Sequence, residues 1–237
     1  MFWLLLWLLL AAAILLLTFW TFAILLKQKS VWAAYAEQNN LKLIKTGLLS
    51  SPQIEGPYKD LILQIFSERQ AMADGRGQQY RTIIQFPLLP NMPTDGVVAS
   101  RYFTPFVEGL GLPKKWVMPK TIKWEEEPIA RAAISSRLKT YLTEDRIKSL
   151  EVLSGFKRAS FVFIFDESEA FLRVESADPL DDIKRMENIV RKVYAIANIL
   201  CVKEEEVEPF NVIAKREERM DRVGVDNDED EDEDDEA

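Results

Sequence analysis

The side chains that could do chemistry here are carboxylates, amines, phenols and a single thiol, Cys201; none of the 237 residues is histidine. Without imidazole there is no Ser-His-Asp or Cys-His nucleophile, no His-ligated zinc, no axial His for a haem and no proton shuttle near neutral pH. One cysteine excludes an internal disulfide framework and a Cys-ligated cluster within one chain. The carboxylates fall in contiguous runs, Glu125-Glu126-Glu127, Asp166/Glu167/Glu169 and Glu204-Glu205-Glu206. A glycosidase-type pair needs two carboxylates facing one cleft, whereas runs at turns and helix ends read as solvated surface. Gly109-x-Gly111 lacks a third glycine and is followed by Pro113, and Lys114-Lys115 lacks the spacing and Ser/Thr of a phosphate loop. No catalytic residue, cofactor or metal site is expected.

Two segments carry unusual charge. Asp226–Glu236 holds ten acids in eleven residues, so the net charge of −8 belongs to the tail; residues 1–225 alone have 30 basic against 28 acidic groups. The tail does not place Gly at the sixth and Glu at the twelfth position that a calcium-binding loop requires. It repels itself and is expected to be disordered and solvating. The other segment places Lys114, Lys115, Lys120 and Lys123 among Trp116 and Trp124 within eleven residues. Lysines among tryptophans suit anionic headgroups at a membrane interface, and they equally suit a contact with the acidic tail. The plain alternative is a connection with both tryptophans in the core and the lysines in water. Nucleic acid is not expected as a partner of a nearly neutral, membrane-tethered domain.

The elements that would position these groups begin with an anchor. Phe2 to Leu26 is 25 residues long, uncharged, free of Gly and Pro, and polar only at Thr18 and Thr21. That is about 37 Å of helix, enough for a bilayer core of ~30 Å, with Trp3 and Trp7 towards one end and Trp20 towards the other. A cleaved signal peptide fits less well, since its apolar core is short and follows basic residues. Lys27 and Lys29 follow the run at once, with Lys42 and Lys45 beyond, which places the C-terminal side in the cytoplasm. The lone cysteine and the absence of any N-x-[ST] site agree with a reducing compartment.

The expected organisation is an anchor with basic flank over 1–29, a juxtamembrane helical stalk over 30–50, a soluble domain over 51–202, a charged helix or linker over 203–225, and the acidic tail over 226–237. Leu61–Ser67 and Tyr80–Phe86 read as strands around Asp74-Gly75-Arg76-Gly77, and Val97–Phe106 as a third strand. Gly109 to Pro128 reads as irregular. Ala130, Ile134, Leu138 and Leu142 fall on one helical face, and Ile147, Leu150 and Leu153 continue a helical pattern to Gly155. Ser160–Phe165 and Ala170–Glu175 read as a second hairpin. Asp178-Pro179 reads as the start of a long helix with Ile183, Met186, Val190, Val193, Ala197 and Leu200 on its apolar stripe. Cys201 would be a buried structural thiol at the end of that stripe.

The fold class is therefore α+β: a single transmembrane helix, then a mostly antiparallel sheet of two hairpins packed with two amphipathic helices. The layout resembles that of single-pass bacterial inner-membrane proteins. The function expected is non-enzymatic, as an accessory subunit, scaffold or assembly factor of a membrane complex. Its partners would be the bilayer and another membrane protein, with a second copy of the chain as an alternative. Lipid binding through Lys114–Trp124 and a His-independent enzyme are the alternatives.

Overall fold

A computed structural model describes residues 2–44, 47, 50–71, 78–89, 92–116, 118–119, 124–166, 168–203, 205–208, 210 and 212, with residues 71, 78 and 114–116 described by backbone alone. The fold is α+β: a long apolar N-terminal helix, then an antiparallel sheet with several helices. The chain forms two compact units. The first comprises 1–87, 156–161 and 172–198; the second comprises 88–155, 162–171 and 199–237.

In the first unit, helix α1 runs unbroken over Phe2–Gln38. It stops at a motif encoded by Asn39-Asn40. The Asn40 amide returns to the Glu37 carbonyl (3.3 Å) and the Leu41 amide to the Ala36 carbonyl (2.8 Å). Asn40 adopts φ 54°, a left-handed conformation that asparagine tolerates better than most residues. Strands β1 (Lys42–Ile44), β2 (Gln53–Tyr58), β3 (Leu61–Ala71) and β4 (Gln78–Leu88) follow and pair antiparallel in sequence. Beyond β4 the order continues through β9 (Ala170–Ser176) to β8 (Ala159–Phe165). Leu63, Ile65, Ile84 and Phe86 alternate onto one buried face, as period-2 apolar strands demand. Against them lie the buried stripe of α1 (Trp32, Tyr35, Ala36) and that of α5 (Ile183–Leu200), which buries Met186, Val190, Val193 and Ala197. Tyr194 of α5 meets Tyr58 and Phe86 at ring separations of 5.5 and 6.0 Å.

In the second unit, β8 is followed across the sheet by β5 (Gly96–Ala99), β7 (Ile129–Ala132) and β6 (Lys114–Trp116). Helices α2 (Thr104–Gly109), α3 (Ser135–Tyr141) and α4 (Glu144–Ser154) complete it. Val97, Ala99, Val107 and Val162 form one small core. Tyr141, Phe163 and Phe165 form an aromatic one, with ring separations of 4.8 to 6.2 Å.

Several expectations are corrected. The sheet is larger than two hairpins: β1, β2, β6 and β7 add to the strands read over 61–86, 97–106 and 160–175, and more than two helices pack with it. The stalk over 30–50 is not helical throughout, because α1 ends at Gln38 and β1 follows. The strand read over Val97–Phe106 stops at Ala99. A 3-10 turn over Arg101–Phe103 leads into α2, with Pro105 in its first turn, where proline's missing donor costs nothing. The helix read from Ala130 is instead β7 followed by α3. Ala130 and Ala132 alternate inward as strand residues. Residues 114–116 are a short strand within the segment read as irregular. The long helix starts at Ile183 rather than after Asp178-Pro179, because Leu180 sits at φ 51°. Asp182, whose Oδ1 accepts the Arg185 amide at 2.8 Å, is the residue at the helix N-terminus. Cys201 lies just past that helix and is half-buried rather than buried. The Asp74–Gly77 turn and the acidic tail lie outside the described residues.

Candidate functional site

The first question is how the apolar helix joins the folded unit. Every residue from Phe2 to Thr21 is exposed, and cover begins only at Phe22. Phe22 and Leu25 are half-buried, and Gln28, Trp32 and Tyr35 are buried. This three- and four-residue spacing is a single stripe facing the domain. The exposed stretch of twenty residues is about 30 Å long, the thickness of a bilayer core. Helix α1 is thus long and apolar enough to cross a membrane, and its second half belongs to the domain core.

The loop before α5 grips that second half. The Trp32 indole Nε1 donates to the Leu180 carbonyl (3.2 Å), and Gln28 Nε2 donates to the Pro179 carbonyl (2.9 Å). Lys27 Nζ meets Asp181 Oδ2 at 2.8 Å, and that hydrogen bond, with the carboxylate's charge, holds the ammonium above the ordinary lysine value. The loop is braced by Asp178, which accepts the Leu180 amide at 2.9 Å and pairs with Arg185 at 2.5 Å. The left-handed Leu180 turns two successive carbonyls towards α1.

Beside this grip lies a groove of about 800 Å³. One wall is α1 from Leu15 to Gln28, with Phe19, Phe22 and Leu25; the other is formed by Ser51, Ser67, Tyr80, Thr82, Ala177 and Pro179. Ser67 and Thr82 are cross-strand neighbours of β3 and β4. Among the described residues no charged side chain lines it. Ser67 Oγ accepts from Gln28 Nε2 at 3.4 Å. Thr82 is 3% exposed, and none of its side-chain hydrogen bonds joins another described residue.

Other polar groups are structural. Tyr58 donates to Glu187 at 3.4 Å; burial, then the charge of Glu187, raises its pKa. Burial likewise raises that of Tyr35. Both phenols are therefore protonated at neutral pH and offer no base. In the second unit Arg146, 3% exposed, donates to the carbonyls of Tyr141 (2.9 Å), Ile199 (3.2 Å) and Cys201 (3.0 Å) and to Glu206 (2.6 Å). Tyr141 donates to the Leu200 carbonyl. A cation satisfying a helix C-terminus explains this cluster without invoking a ligand. Among the described residues no group of His, Cys, Asp and Glu is arranged to hold a metal ion.

The residues singled out from sequence are not brought together. Phe2, Trp3, Trp7, Trp20 and Leu26 lie exposed along α1. Lys114, Lys115 and Trp116 form β6, described by backbone alone, while Lys120 and Lys123 lie outside the described residues. Trp124 is half-buried and donates to the Pro119 carbonyl at 3.4 Å. The groove residues went unread in the sequence. Comparison with known proteins finds no matching family model, no matching curated protein and no matching solved structure.

Proposed function

We propose that the chain is a single-pass membrane protein whose domain stands on the cytoplasmic side, in a bacterial inner membrane, and acts without catalysis as an accessory subunit, scaffold or assembly factor. The observation that carries this reading is the grip of residues 179–181 on α1, through Lys27, Gln28 and Trp32. A flexible linker lets a tethered enzyme search for substrate. A helix continuous with the domain core instead fixes which surface faces a neighbouring membrane protein, as an assembly role needs. Lys27 and Lys29 beside the apolar run support the cytoplasmic side. The partner would be another membrane protein, with a second copy of this chain as one possible form of it. Mild-detergent purification of the tagged full-length protein, followed by mass spectrometry of what elutes with it, tests the reading. A stoichiometric membrane partner or a defined oligomer is expected; a strictly monomeric protein eluting alone overturns it.

A further inference from the structure

We propose that the groove beside α1 holds one molecule of an uncharged, hydrogen-bonding lipid of the diacylglycerol type. Its acyl chains would lie along Leu15, Phe19, Phe22 and Leu25, and its head against Ser67 and Thr82. The inference rests on the membrane reading of α1. Three observations converge on this ligand.

The first is position. The apolar wall of the groove is the stretch of α1 where full exposure gives way to burial, between Thr21 and Gln28, and Leu15 and Phe19 extend it into the exposed run. With Phe2–Thr21 in the hydrocarbon, the groove straddles the level where headgroups meet acyl chains. A water-soluble ligand would leave this wall facing the bilayer, whereas a lipid enters sideways and covers it. At about 800 Å³ the groove falls within the range of specific small-molecule sites.

The second is charge. Among the described residues the lining offers hydroxyls and one carboxamide but no cation. Lys27 is engaged by Asp181 at 2.8 Å, and Arg69 donates to the Tyr80 hydroxyl (2.5 Å) without lining the groove. A phosphate headgroup would be desolvated there without a counter-charge, which is strongly unfavourable. A glycerol hydroxyl and ester carbonyls need only neutral partners.

The third is the Thr82 hydroxyl, on a side chain 3% exposed that lines the groove and makes no hydrogen bond to a described residue. Its cross-strand neighbour Ser67 has only a 3.4 Å contact with Gln28. Both residues line the groove, and a head carrying both donor and acceptor groups pairs with their hydroxyls.

The test uses full-length protein in phosphatidylcholine nanodiscs containing a diacylglycerol or a phosphatidylglycerol, each with a diazirine on the acyl chain. Crosslinked peptides are identified by mass spectrometry. The diacylglycerol probe is expected to label α1 around residues 15–25 and β3–β4 well above the anionic probe. Ala177→Phe, at an exposed lining position, should abolish that labelling while leaving the circular-dichroism melt unchanged. Thr82→Val keeps the shape and removes one hydrogen bond, so labelling should fall about three- to tenfold. Equal labelling by both probes, or labelling indifferent to Ala177→Phe, marks ordinary boundary lipid and overturns the proposal. So does absence of labelling, which would leave the groove to another occupant. Carbonate extraction of native membranes separates the two levels. Release of the protein defeats the membrane reading itself, whereas retention with unselective labelling defeats only the lipid site.

Discussion

Replacing Trp32 with alanine tests whether the C-terminal half of α1 is a stalk or part of the core. Trp32 is fully buried, and its indole donates to the carbonyl of Leu180, itself fully buried, at 3.2 Å. Truncating a buried tryptophan leaves a cavity and costs about 3–5 kcal/mol. For a protein of this size each kcal/mol lowers the melting temperature by roughly 2–4 °C, so a fall of about 6–20 °C is expected. Trp32→Phe keeps most of the apolar volume but orphans the Leu180 carbonyl, at a cost of about 1–3 kcal/mol. It should therefore fall between wild type and Trp32→Ala. The assay is thermal unfolding of the full-length protein in detergent by far-ultraviolet circular dichroism, which does not depend on the tryptophan removed. A shift below about 2 °C for Trp32→Ala would refute the reasoning, since a solvated stalk residue can be truncated at little cost.

Tyr35→Phe has the opposite sign. The Tyr35 hydroxyl is buried with no hydrogen-bond partner among the described residues, so removing it should leave stability unchanged or raise it by up to about 1 kcal/mol in denaturant titration. Gly96→Ala should destabilise by about 1–3 kcal/mol, because the added Cβ would stand 2.5 Å from Cε2 of the buried Phe165 ring; the urea midpoint reports it. For Glu206, burial pushes the carboxyl pKa up but is outweighed by the Lys203 amide and by Arg146, which hold it below its ordinary value of 4.5. A depressed pKa gives stability that is present above the ordinary value and lost as pH falls through the lower folded one. Glu206→Gln should therefore flatten the loss of stability below about pH 4.5 while lowering it at pH 7, seen by melting across pH.

Much of the fold was legible where one pattern dominated. The apolar run and the stripe from Met186 to Leu200 each show one dominant pattern, and Leu61–Ser67 and Ser160–Phe165 are rich enough in β-branched and aromatic residues to read as strands. The misread elements were those where two patterns coincide. Ala130, Ile134, Leu138 and Leu142 fit a helical face, yet alanine at 130 and 132 packs equally well as alternate strand residues under a crowded sheet. Asp178-Pro179 and Asp182 both look like helix starts, and only the left-handed Leu180 decides between them. The candidate site was almost invisible. Gln28, the Ser67–Thr82 strand pair and Ala177 come from three distant parts of the chain. A serine and a threonine on the inner face of two strands look like ordinary polar alternation until the opposite wall is known. Arg146 drew no reading from the sequence, and two of its acceptors, the Ile199 and Cys201 carbonyls, lie more than fifty residues away.

The grip on α1 also sets a timetable for biosynthesis. Trp32 and the carbonyl that receives it are 148 residues apart, and at a synthesis rate of roughly 5–20 residues per second the partner emerges about 7–30 s later. During that interval the N-terminal helix is already made, while Trp32 and Tyr35 lack both the sheet and α5 that will cover them. Until then the N-terminal helix carries an unfinished apolar stripe at Trp32 and Tyr35. Closing this part of the domain is a late event in synthesis, completed only when residues 178–200 have emerged.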